Sequence, residues 1–428
     1  MRITALNITP IALGDPPLLN AAGLHAPYCL RTVVELETDA GLTGLAEVPG
    51  SVAVDAALAS VRPVVIGADP LNWQALRARI AEQCTPELSV ARGDKPWDGR
   101  TRVQVYSALD VACLDLQGRA FGVPVATLLG GIVRPRVPYS AYLFYKYEGA
   151  GGELAFGTDP RATGWAAARQ RPALDPDGIV AQAEAMVAEF GFESIKLKGG
   201  VFEPAQEVAA IKALHQRFGR GVPLRLDPNA LWTVETSIRY GREIEGILEY
   251  LEDPCRTQPG MAAVRRALKT PLATNMCTTS FDDLPGSVQH GSEDIILTDH
   301  HFWGGLHASM ELAAHCRIFS RGVSMHSNNH AGISLAAMTQ LGAAMPNLSY
   351  ALDTHYPWQW EDIIVGGRMK IEGGGVTLPP GPGLGVELDR AALARAHETY
   401  RRAGLKERND EIEMQKKVPG WKFAQTRW

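Results

Sequence analysis

The sequence predicts an α/β protein whose larger part is a parallel barrel of alternating strands and helices. Two observations predict it. Short apolar runs, each closed by a polar residue, recur roughly every 25 residues, about the length of one strand–helix unit of such a barrel. Helical periodicity fills most of the intervals between them. A third observation bears on domain count: 428 residues is long for one small domain, so a second is expected.

The elements follow in order. Residues 31–38 alternate in part and run into Asp39-Ala40-Gly41-Leu42-Thr43-Gly44, a hairpin signal. Residues 61–80 and 102–121 carry helical periodicity. In the second, Val105, Leu109, Ala112, Cys113 and Leu116 share a face, while Asp110 and Gln117 lie elsewhere; Gly122-Val123-Pro124 stops it. The pattern changes near Val137, and residues 137–144 read as the first barrel strand. Residues 148–176, rich in Gly, Ala, Arg and Pro, read as a long loop serving the barrel mouth. Helices are expected near 204–217, 234–245, 261–268, 306–318 and 333–344. A turn-rich stretch over 371–383 precedes a last helix over 389–404. The charged tail, 406–428, carries Met414, Val418, Trp421 and Phe423 as anchors.

The strand ends carry the chemistry. Lys196 and Lys198 close Ser194-Ile195-Lys196-Leu197-Lys198. Asp227, Glu252 and Asn275 close the next three runs, Asp299 follows Ile295-Ile296-Leu297-Thr298, and His326 follows Gly322-Val323-Ser324-Met325. Polar groups at the C-terminal ends of barrel strands converge on one mouth. Asp227, Glu252 and Asn275 are oxygen donors on three consecutive strands, which favours Mg²⁺ or Mn²⁺ over zinc. The competing reading makes each a cap of the following helix; three in phase with two lysines count against it. Alternation lets only one of Glu252 and Asp253 face the axis, and Glu252 is chosen. Lys196 and Lys198, two apart, share a face. Two ammonium groups beside a dication should lose protons more readily, making one a general base, unless the pair is a solvated strand edge. Asp299 would fix the tautomer of His326, although a lone strand histidine is more often structural. Asp299-His300-His301 could instead suggest a two-histidine metal site, but neighbours on a strand face opposite ways.

Composition narrows the class. Hydrophobic content of 46% and charged content of 21% suit a soluble globular protein. A net charge of -5 gives no reason to expect nucleic acid or an anionic membrane as partner. The six cysteines form no CxxC pair, which argues against a disulfide framework and suits a reducing compartment. No run approaches the roughly 20 apolar residues of a membrane span. Residues 1–20 make a poor signal peptide, so a cytoplasmic location is expected.

These motifs resemble the enolase superfamily and, within it, the glucarate dehydratases. The likeness runs through His25-Ala26-Pro27, Tyr142-Leu143-Phe144, Lys196-Leu197-Lys198-Gly199-Gly200 and Leu226-Asp227-Pro228-Asn229. It continues through Glu252-Asp253-Pro254-Cys255, Ala273-Thr274-Asn275-Met276, His301-Phe302-Trp303, His326-Ser327-Asn328-Asn329-His330 and Asp353-Thr354-His355, and reaches Arg408 and Pro419-Gly420-Trp421. The resemblance implies a modified (β/α)7β TIM-like barrel over 136–384 and an α+β capping domain over 1–135, completed by 385–428. It implies one Mg²⁺ held by Asp227, Glu252 and Asn275. It implies Lys198 as base on one face of the substrate and His326, oriented by Asp299, on the other, with Lys196 steadying a carboxylate. Substrate contacts would come from His25, Tyr142, Lys196, Asp227, Asn229, Asn275, His326, Ser327, Asn328, His355 and Arg408.

The implied reaction is dehydration of an acid sugar, D-glucarate or a related hexarate such as L-idarate, to a keto-deoxy diacid. A racemase or epimerase, or a dehydratase of a different hydroxy acid, on the same scaffold are the alternatives, with a catalytically silent relative as a third. A homo-oligomer is expected. Three departures bear on the choice of sugar acid: Pro96 stands before Trp97-Asp98 where the family carries a substrate-contacting Thr, His330-Ala331-Gly332 replaces His-Phe-Asp, and the loop after Glu252 reads as shorter than the family's.

Overall fold

The computed structural model describes residues 1–84 and 100–428. An antiparallel sheet of β1 (Ile3–Gly14), β2 (Tyr28–Thr38) and β3 (Thr43–Pro49) opens the chain, with β2 in the middle. The hairpin between β2 and β3 lies where the sequence places it. The 12-residue β1 was not read from the sequence.

The helix Thr101–Phe121 lies against β3. Gly44 permits the approach: a Cβ there would stand 2.2 Å from the Ala112 carbonyl oxygen. This helix is buried on nearly every side, so an apolar face is not its organising feature. Asp110, expected off that face, is fully buried and accepts from the backbone N–H of Leu306 (2.6 Å) and His307 (3.2 Å). It thus satisfies donors left open at the start of helix Leu306–Ile318. The helix expected over 61–80 is two pieces, Arg62–Val65 and Trp73–Gln83, separated by Gly67 at φ +79° and by Pro70.

Eight parallel strands form a nearly closed barrel. They are β4 (Arg136–Phe144), β5 (Ile195–Lys198), β6 (Leu224–Asp227), β7 (Leu248–Glu252), β8 (Leu272–Thr274), β9 (Ile295–Thr298), β10 (Gly322–Met325) and β11 (Leu352–Asp353). The hydrogen-bonded order runs β10-β9-β8-β7-β6-β5-β4-β11. The barrel thus contains the predicted ladder in order and in register, with Phe144 beside Lys198, Lys198 beside Asp227, and Glu252 beside Ala273. Several parts of the barrel region were not anticipated, among them the 15-residue helix Pro176–Phe190 ahead of β5. Helical turns Phe281–Asp283 and Leu284–His290 join β8 to β9. A short helix, Gly164–Ala168, interrupts the expected loop. The two-residue β11 supplies the eighth strand.

The C-terminal segment returns to the N-terminal sheet. Helix Arg390–Ala403 packs on β1, where His397 Nδ1 donates to the Pro10 carbonyl at 2.7 Å. The tail is ordered. Its Met414 packs on the core, as does Trp428, whereas Val418, expected as an anchor, is 41% exposed. No helix among the described residues is long and apolar enough to cross a membrane.

Candidate active site

The rungs converge because each sits at the same end of its strand. Lys196 and Lys198 do share a face, as alternation requires, and both lie over the Tyr142 ring, with Nζ 5.0 and 6.0 Å from its centroid. Lys196 is fully buried. Its Nζ stands 2.5 Å from Glu252, 2.5 Å from Asp353 and 4.0 Å from Asp227. Lys198 Nζ donates to Asp227 Oδ2 at 2.7 Å.

Carboxylates so close overturn the expectation that the lysines lose protons easily. Burial works to lower Lys198, but Asp227 outweighs it and holds the ammonium up at about 12. Lys196 is likewise held well above the usual lysine range: burial opposes its charge, and Asp353 and Glu252 more than compensate. The unforeseen anion is Asp353, which no motif in the sequence sets beside Lys196.

Glu252 faces inward and Asp253 does not. At the end of β7, Asp253 takes φ +37° and turns its carboxylate to β8, accepting from Thr274 Oγ1 and from the Asn275 N–H at 2.8 Å. Asn275 is thereby fixed, and its Nδ2 donates to Glu252 Oε1 at 3.2 Å. Asn229, at φ +55°, donates its amide to the carbonyls of Gly199 and Asp227 and its backbone N–H to Asp227 Oδ1 at 2.9 Å. It lines the cavity and braces Asp227 from behind.

On the other side of the ring, His326 Nδ1 meets Asp299 Oδ2 at 3.0 Å. Asp299 is a hub. Its Oδ1 accepts from the His301 N–H at 2.9 Å and lies 3.0 Å from His301 Nδ1, while its Oδ2 also accepts from Asn328 Nδ2 at 3.2 Å. Burial would raise this carboxyl, but the two imidazoles hold it well below the usual carboxylate range. His301 continues to Arg31 (3.1 Å) and Ser334 (3.0 Å), and Arg31 pairs with buried Glu47 at 2.6 Å. His300 and His301 lie together, contrary to the expectation from strand alternation: β9 ends at Thr298, and His300–Trp303 is a helical turn that brings the two rings to 3.8 Å.

A cavity of about 390 Å³ opens above these groups. Lys198, Asn275 and His326 line it, with Tyr142, Asn229, Ser327, Asn328 and His355 from the barrel, and His25 and Arg408 from the two terminal segments. Lys196, Asp227, Glu252 and Asp299 lie beneath or behind that wall. Ser327 Oγ accepts from the His355 N–H at 3.1 Å. Arg408 is held by Asp410, with Nε 2.7 Å from Oδ1, and its Nη1 donates to Asn329 at 3.3 Å. Pro96, Trp97 and Asp98 lie outside the described residues.

Two residues of this neighbourhood were missed. Asp353 ends a two-residue strand, and the end-of-run signature applied to Leu352-Asp353 would have found it. Asp15, which follows β1, faces His25 and His355, and no sequence motif marks it.

The donor set fits a hard divalent cation. Asp227, Glu252 and Asn275 are buried oxygen donors, with no sulfur or imidazole among them. Burial pushes the Glu252 carboxyl well up; Lys196 works against this, but Asp227 and Asp353 add to it. A dication is the partner that would keep these carboxylates ionised together.

Comparison with known proteins agrees with this geometry. Residues 178–392 match the family profile described as "Enolase C-terminal domain-like", and residues 26–130 match "Mandelate racemase / muconate lactonizing enzyme, N-terminal domain". The chain belongs to the enolase superfamily. A relative from Streptomyces coelicolor named "Probable glucarate dehydratase" is 44% identical over 98% of this chain and 97% of its own. The chain is a glucarate dehydratase-like enzyme of that superfamily. Solved enolases from Thermobispora bispora, with magnesium and formate, and from Pseudomonas fluorescens, with magnesium, potassium and tartrate, each superpose with a TM-score of 0.91. They are 48% and 44% identical; each alignment covers 100% of this chain, and 100% and 99% of theirs.

Proposed function

We propose that the protein dehydrates an acid sugar, D-glucarate or a closely related hexarate such as L-idarate, to a keto-deoxy diacid, with Mg²⁺ as cofactor. The observation that carries the reading is one cavity shared by two proton carriers from distant barrel strands. Lys198 ends β5 and His326 follows β10, three strands apart one way round the ring and five the other. They can address two faces of one bound carbon.

A hydrogen next to a carboxylate is a very weak acid, and its removal needs the developing charge to be held. A divalent cation held by Asp227, Glu252 and Asn275 would take up that charge and engage the carboxylate that now holds the Lys198 proton. Lys198 takes the proton from one face. On the other, Asp299 holds the proton on His326 Nδ1, leaving Nε2 to accept or return one. Lys196, fixed by Glu252 and Asp353, adds positive charge from below. Arg408, an always-charged fork braced by Asp410, suits the second carboxylate of a diacid. Loss of the β-hydroxyl as water gives an enol, which becomes the keto acid. The same two carriers also permit epimerisation of the α-carbon.

The test is turnover of a panel of hexaric acids with Mg²⁺, read as keto-acid formation. Dehydration of glucarate, abolished in Lys198→Ala and by excess chelator, is expected. Exchange of the α-hydrogen with solvent without keto acid would favour the epimerase reading. Mg²⁺ binding with no reaction of any acid would sink both.

A further inference from the structure

Asp15 has no part in the chemistry above, yet it ties the terminal segments to the barrel mouth. It follows β1 directly and is 2% exposed. Its backbone N–H donates to the Pro27 carbonyl at 2.9 Å. Oδ2 lies 2.9 Å from His25 Nδ1 and accepts from Asn329 Nδ2; Oδ1 lies 3.4 Å from His355 Nε2. The two imidazoles stack nearly parallel, 5.7 Å apart at 17°, and Phe144 presents itself edge-on to both. Asn329 in turn accepts from Arg408. One carboxylate therefore orients two rings and the amide that meets the tail arginine.

The consequence lies in which nitrogen carries the proton. An ionised carboxylate has none to give, so at each contact the proton belongs to the ring. Burial opposes ionisation of Asp15, but His25 and His355 outweigh it and hold the carboxyl well below its usual range. That leaves His25 Nε2 and His355 Nδ1, neither with a hydrogen-bond partner among the described residues, on rings that line the cavity. Burial pushes His355 down, so its ring is neutral near pH 7 and its bare Nδ1 can only accept.

We infer that Asp15 is a positioning residue that orients His25 and sets the tautomer of His355, so that the His355 face of this cavity wall accepts a hydrogen bond from a substrate hydroxyl. This deepens the reading above, and rests on it for the identity of the substrate as a polyhydroxy diacid. A wall of this kind distinguishes a hydroxylated diacid from a bare one of equal length and charge.

The test uses the full chain with Mg²⁺ and two four-carbon diacids, tartrate and succinate, which differ only in two hydroxyls. Affinities are read by calorimetry. In Asp15→Asn the tartrate-to-succinate preference should fall about tenfold, the worth of one buried hydrogen bond, with succinate binding unchanged. Equal weakening of both diacids would mean a merely structural role and would overturn the inference, as would an unmoved ratio. Where Asp15→Asn does not fold, His355→Phe keeps a ring without the acceptor and must lower the ratio likewise. In the unaltered protein, ¹⁵N spectra should show His355 Nδ1 unprotonated; a proton there refutes the assignment. Binding is read without turnover, so the two readings fail separately. A chain that dehydrates hexarates with an unmoved ratio keeps the function and loses Asp15; the converse keeps Asp15 and loses the function.

Discussion

Asp353→Leu removes the anion that sequence reasoning missed, and the structure sets what that costs. Lys196 Nζ is fully buried between Asp353 and Glu252, 2.5 Å from each. Arg225, also buried, stands 3.7 Å from Asp353 Oδ1. Removing one partner of a buried ion pair costs about 3–5 kcal/mol, because the remaining charge keeps its desolvation penalty and loses its compensation. Lys196 keeps Glu252, and Arg225 keeps Glu249 at 2.7 Å, so the low end, about 3 kcal/mol, is expected. With an unfolding entropy of about 2.1 cal/mol/K per residue, 428 residues give about 0.9 kcal/mol/K, and the melting temperature should fall by about 3 °C. Asp353→Asn keeps the shape and one acceptor oxygen and should cost less than half of that. Scanning calorimetry at pH 7 reads both. Asp353→Leu melting within 1 °C of the unaltered chain would refute the claim that Lys196 depends on two anions.

Other expectations follow from the same kind of reasoning. Burial pushes Glu207 up to about 7, although backbone N–H groups of Val201, Gly200 and Phe202 pull it down. Its folded pKa then exceeds the unfolded value near 4.5, so its contribution to stability is lost as pH rises from about 4.5 to 7. Glu207→Gln should match the parent at pH 4 and exceed it at pH 8, by about 3 kcal/mol at most, in urea titrations; a parallel pH dependence of the two would refute this. Gly44→Ala should destabilise by about 1–3 kcal/mol in the same titration, since its methyl meets the Ala112 carbonyl; a neutral result would mean the sheet and helix can part without cost. Asp227→Asn should weaken Mg²⁺ at least about tenfold by calorimetry, the scale of losing one charged ligand contact, and unchanged affinity would remove Asp227 from the metal site.

The ladder was legible because each rung needs only local information. A polar residue closing an apolar run is visible in five or six letters, and barrel topology places all such ends at one mouth. Asp353 escaped because its strand is two residues long and the run before it contains Ser349 and Tyr350. The lysine protonation went wrong for a different reason. Alternation shows that Lys196 and Lys198 are neighbours, but only the closed ring brings anions from β6, β7 and β11 around them. Asp110 and Asp15 were invisible because Leu306 lies 196 residues from the first and Asn329 and His355 lie 314 and 340 from the second; His25, only ten residues from Asp15, forms no motif with it. His300 and His301 were misjudged because the strand period was extended through His301, three residues past Thr298.

The cavity wall is drawn from both extremities of the chain, with His25 near one and Arg408 near the other. Asn20 Nδ2 donates to Asp410 Oδ2 at 2.7 Å, so the loop after β1 is latched by the last helix, Asp410–Lys417. Synthesis runs from the N-terminus, so the strand ends that carry the ladder emerge before residue 410 does. The pocket therefore becomes complete only after residue 410 has emerged. A chain terminated just before residue 408 carries every residue of the ladder and lacks the arginine that closes this wall of the cavity.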